Sequence, residues 1–64
     1  MGDFTVARNY DFRNLRVLVV DDSQFMIRVV SNILEALGVG SVFSATSGRD
    51  GFETACRYSP DIVI

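Results

Sequence analysis

Leu15-Arg16-Val17-Leu18-Val19-Val20-Asp21-Asp22-Ser23 is the stretch that decides the fold. Its first six residues are aliphatic apart from Arg16 and do not alternate with polar residues, the pattern of a strand covered on both faces, as in a parallel sheet. Three short polar side chains then stop the run, and the period changes. From Ser23 to Leu37 the polar residues Gln24, Arg28, Ser31, Asn32 and Glu35 share one stripe, with Met26, Val30, Ile33 and Leu37 at the centre of the opposite face. That spacing predicts a helix, opened by the short polar side chains at Asp21-Asp22-Ser23, which can cap its free amides, and closed by Gly38. At 100° per residue the apolar residues span an arc of roughly 200°, wider than one sheet face covers. A neighbouring helix or a second chain is therefore expected along it.

Downstream, Val42 to Ala45 reads as a short second strand, Thr46-Ser47-Gly48 as a turn, and Arg49 to Tyr58 as a second helix with Phe52, Ala55 and Cys56 on its inner side. Cys56 is expected to be a small core residue, because no lysine or histidine is present to activate its thiol. Gly51 weakens this helix by up to ~1 kcal/mol relative to alanine, which close packing would explain, and Glu53 is spaced to pair with Arg57 at i,i+4. Pro60 ends the helix, and Asp61-Ile62-Val63-Ile64 opens a third strand. Strand, helix, strand, helix, strand in this order implies right-handed crossovers and a doubly wound parallel sheet with helices on both faces. Upstream, residues 1–14 show no sustained period and read as a flexible lead-in or short flanking helix, so the domain proper is expected over 15–64. Three strands and two helices leave the wide helix face short of neighbours, and the run stops on Ile64. The chain thus reads as the first half of a larger α/β domain.

Composition narrows the function. With 48% hydrophobic residues and a net charge of only −2, the chain has the content of a folded interior rather than of a disordered segment. Six scattered arginines and eight acidic residues form no basic stripe, which argues against nucleic-acid binding. No apolar run is long enough for a signal core or a membrane span, so a cytoplasmic, membrane-free protein is expected. One cysteine and no histidine exclude both an internal disulfide and a zinc cluster as the staple of so small a fold.

In open α/β sheets the ligand crevice lies beyond the carboxyl ends of the strands, which is where Asp21 and Asp22 fall. Two adjacent carboxylates with no soft ligand nearby suit a hard cation such as Mg²⁺, which completes its shell with water and phosphate oxygens. Helix capping and solubility are the competing explanation for the same pair. Thr46, Ser47 and Gly48 are loop-like, but no glycine-rich fingerprint follows the first strand, so nucleotide binding is not expected. Tyr10, Phe12 and Tyr58 are read as packing residues.

Val17-Leu18-Val19-Val20-Asp21-Asp22-Ser23, with Met26, Leu37-Gly38, Val42, Ala45, Gly48 and Pro60-Asp61-Ile62-Val63-Ile64, resembles the N-terminal half of a response-regulator receiver domain of two-component signalling. The likeness covers about residues 16 to 64 and rests on joint spacing rather than on any one motif. It implies a flavodoxin-like sheet of order 2-1-3-4-5 that takes a phosphoryl group from a histidine kinase or phosphotransfer protein onto an aspartate at the end of the third strand. Asp21 and Asp22 match the family's acidic pair, Asp22 as direct Mg²⁺ ligand and Asp21 mainly through water. The acceptor is expected about two residues beyond Ile64, and the family's Ser/Thr and Lys further on. Asp61 is no substitute, since it opens its strand at the opposite edge. The complete domain would catalyse its own phosphorylation and dephosphorylation, acting on an output domain or effector or through homodimerisation, whereas the segment alone is not an enzyme. The alternatives are a phosphorylation-independent, receiver-like interaction module and a different flavodoxin-like or cobalamin-binding protein.

Overall fold

The computed structural model describes residues 11–64, and the part of the lead-in before Asp11 lies outside the described residues. Five elements follow one another: β1 (Arg16–Val20), α1 (Gln24–Ala36), β2 (Ser41–Ala45), α2 (Gly48–Tyr58) and β3 (Ile62–Val63). The strands form one parallel sheet of order β2-β1-β3, with Val17 paired to Val42 on one side and to Ile62 on the other. The apolar run over 15–20 therefore supplies the central strand. Val17, Leu18 and Val19 are almost wholly buried, Leu18 at 0% exposure, as a strand flanked by two neighbours and covered on both faces must be.

The strand order also fixes which helix covers which face. From β1 the chain moves outward to β2, and from β2 it crosses back over β1 to β3. Two right-handed crossovers running in opposite directions put their helices on opposite sides of the sheet. The packing agrees: Ile27 of α1 joins Val17 and Val19, with Val30, Leu34 and Val42 against them, whereas Gly51 of α2 lies over Val20. A Cβ at Gly51 would stand 2.8 Å from Val20 Cγ2, so the close packing expected there is present. On the same side the rings of Phe43 and Tyr58 stack at 4.7 Å, and the Arg16 guanidinium lies 5.6 Å from the Phe43 centroid. Tyr58 is thus a packing residue, as expected.

Each helix is closed by identifiable groups. Ser23 Oγ accepts the Met26 amide at 3.2 Å and Ser47 Oγ accepts the Asp50 amide at 3.1 Å, so Ser47 is the cap of α2 and Gly48 its first residue. After α1, Gly38 takes φ +88°, and the amides of Gly38 and Val39 return to the carbonyls of Glu35 and Leu34 at 3.0 and 3.1 Å, a Schellman closure. After α2, the left-handed position falls on Ser59 at φ 48°. Over residues 11–14 the chain turns rather than forming a helix: the Phe12 carbonyl accepts the amides of both Leu15 and Gly40 at 3.0 Å.

Three expectations about side chains are corrected. Phe52 is 72% exposed and Cys56 is exposed; the buried residue of α2 is Gly51, with Thr54 and Ala55 half-buried. Phe52 and Cys56 lie roughly 100° to 140° round the helix from Gly51, and the closest approach, which only a glycine permits, sets the rotation. On α1 the sheet-facing stripe is Ile27, Val30 and Leu34, while Met26, Ile33 and Leu37 remain exposed among the described residues. That outcome matches an apolar arc too wide for one sheet face. Finally, Glu53 pairs with Arg49 at 3.9 Å rather than with Arg57, an exposed contact worth ~0.5 kcal/mol at most.

Candidate functional site

The carboxyl edge of the sheet carries the acidic pair. Val20 ends β1, and the Asp21 amide still donates to the Ala45 carbonyl of β2 at 3.1 Å, so the backbone is held in the sheet up to Asp21. On the other flank, the Val20 amide donates to the Ile64 carbonyl at 3.0 Å and the Ile64 amide to the Leu18 carbonyl at 2.8 Å. These two bonds straddle Val19, which extends the β1–β3 register by one step. Because the crossover from β1 to β2 and the crossover from β2 back to β3 run in opposite directions, the junction of β1 and β3 is the topological switch point, where an open α/β sheet leaves a crevice.

The two aspartates differ in their commitments. Asp21 is half-buried and its Oδ1 accepts the Ser23 amide at 2.8 Å, closing an Asx turn that delivers the chain into α1. Asp22 is exposed and makes no hydrogen bond or ion pair among the described residues. Ser23, rather than either aspartate, caps the helix. The capping explanation therefore accounts for Ser23 and for one oxygen of Asp21, and leaves Asp22 unexplained by local structure. A set of free carboxylate oxygens beside a crevice has the donor chemistry of a hard cation. Among the described residues no group of three or more Asp, Glu, His or Cys gathers, so any such ion would rely on these two carboxylates and on oxygens from elsewhere.

Asp61 is excluded from the site by its position. Its Oδ2 accepts the Arg16 amide at 2.9 Å and its own amide donates to the Arg16 carbonyl at 2.8 Å, which ties it to the start of β1 at the opposite edge. Thr46 and Ser47 lie on the turn into α2, where the Ser47 hydroxyl is used in capping. Local bonding does not separate Asp21 from Asp22 in the sequence, because each has a backbone amide two residues on that an Asx turn could bond.

Among known proteins, the chain is similar to protein-glutamate methylesterase/protein-glutamine glutaminases. The chain is 41% identical over 49 residues to a protein-glutamate methylesterase/protein-glutamine glutaminase of Natronomonas pharaonis, a match covering 77% of this chain and 14% of that protein. It is 44% identical over 52 residues to the protein of the same name from Symbiobacterium thermophilum, covering 80% of this chain and 14% of that one. To a Pseudomonas aeruginosa protein of this name it is 46% identical over 50 residues, covering 77% and 14%. The chain thus spans about one seventh of the length of these relatives. No family model and no solved structure gives a significant match.

Proposed function

The chain belongs to the response-regulator receiver family, of which it carries the N-terminal part, and on that premise we propose that Asp21 and Asp22 form the acidic half of its Mg²⁺-dependent phosphoacceptor site. The observation that carries this reading is the place of the pair at the β1–β3 switch point, with Asp22 free of local bonds. Continuing the register from Val19 beside Ile64 sets the second residue past Ile64 level with Asp21. An aspartate there would stand one strand spacing away, about 4.8 Å between backbones. Its carboxylate is the proposed acceptor for a phosphoryl group from a histidine kinase or phosphotransfer protein.

The residues of this chain divide the work. Asp22 would supply a free carboxylate as direct ligand, and Asp21, whose Oδ1 accepts the Ser23 amide, would contribute its other oxygen mainly through water. When bound, Mg²⁺ would neutralise phosphoryl oxygens as charge builds on them. The Asx turn fixes the Asp21 side chain, and β1, paired on both sides, anchors the turn. On this reading the complete domain promotes its own phosphorylation from that donor and its own dephosphorylation. A cytoplasmic location goes with this role; among the described residues no helix is long and apolar enough to cross a membrane.

The output belongs elsewhere. This chain has no histidine, so histidine-assisted ester or amide hydrolysis does not reside in its residues. An effector of the protein-modifying hydrolase class named for the relatives is the output we propose for phosphorylation to regulate.

The test is to incubate the full-length protein with acetyl phosphate, with and without Mg²⁺. A hydroxylamine-sensitive phosphoprotein that forms only with Mg²⁺ is expected. Failure to form it overturns the phosphoacceptor assignment and leaves the interaction-module alternative.

A further inference from the structure

We draw no further inference here: the strongest candidate, the exposed apolar strip of Phe25, Met26, Ile33 and Leu37 along the outer side of helix α1, carries nothing because nothing in the structure shows what covers it.

Discussion

Replacing Gly51 with alanine sets two effects of opposite sign against each other. In a solvent-facing helix position the change stabilises by ~1 kcal/mol, because alanine loses less backbone freedom on folding. Here the added methyl would lie 2.8 Å from Val20 Cγ2 and 3.3 Å from Cγ1. Valine is short and stiff about χ1 and sits on the central strand, so it cannot swing aside as a long surface side chain would. Overpacking of this kind costs roughly 1–3 kcal/mol. The steric cost outweighs the gain in helix propensity, and Gly51→Ala is expected to destabilise by about 1 kcal/mol net, or ~4–8 °C in Tm for a domain of up to about 100 residues. Thermal and urea unfolding of the full-length protein, followed by circular dichroism, reads this directly. A cycle with Val20→Ala supplies the control, since removing the two methyls should convert the cost at residue 51 into a gain. If Gly51→Ala stabilises by itself, or costs the same in the Val20→Ala background, the close approach of α2 to β1 is refuted. Val20 immediately precedes Asp21, so the same variant is also expected to weaken Mg²⁺ binding if it displaces the end of β1.

Other expected outcomes follow from single groups. Asp22→Asn should reduce Mg²⁺-dependent phosphorylation by acetyl phosphate at least tenfold with little change in Tm, because Asp22 makes no local bond; a large loss of stability would show that its role is structural instead. Asp21→Ala should lower stability by ~1 kcal/mol through loss of the 2.8 Å bond from the Ser23 amide, while Asp21→Asn should keep most of it, as unfolding curves can establish. Ser59→Gly should stabilise by ~1 kcal/mol, since glycine relieves the left-handed φ of 48° that serine tolerates poorly; unchanged urea midpoints would contradict that geometry. Arg13 holds the Asp11 carboxyl below its ordinary pKa through side-chain and backbone hydrogen bonds. The small stabilisation from this pair is accordingly present above the unfolded carboxylate pKa and lost as pH falls through the depressed folded value. NMR titration of Asp11 should show the depression and its disappearance in Arg13→Gln.

The order of elements and the edge that carries the acidic pair are legible in the residues alone. The apolar run over 15–20, the change to helical period at Ser23 and the stops at Gly38 and Pro60 each reflect a local backbone preference, which acts whatever the rest of the chain does. Asp21 and Asp22 inherit their position from the end of β1, and Asp61 its exclusion from the start of β3. Neither step needs a tertiary contact.

Only the packed structure decides how each helix is rotated and which polar group bonds which. Helical period locates an apolar arc but not its centre when the arc is wider than the sheet can cover. On α1 the contact falls on Ile27, Val30 and Leu34 rather than on Met26, Ile33 and Leu37. On α2 it falls on a glycine that hydropathy scarcely weighs, and Phe52 and Cys56 turn outward. Likewise Glu53 has an arginine on each side at helical spacing, and the difference between the two exposed pairings is too small for sequence to resolve. Spacing along the chain encodes direction around an axis; the distance between surfaces, which steric repulsion enforces over a fraction of an ångström, exists only once strand and helix meet.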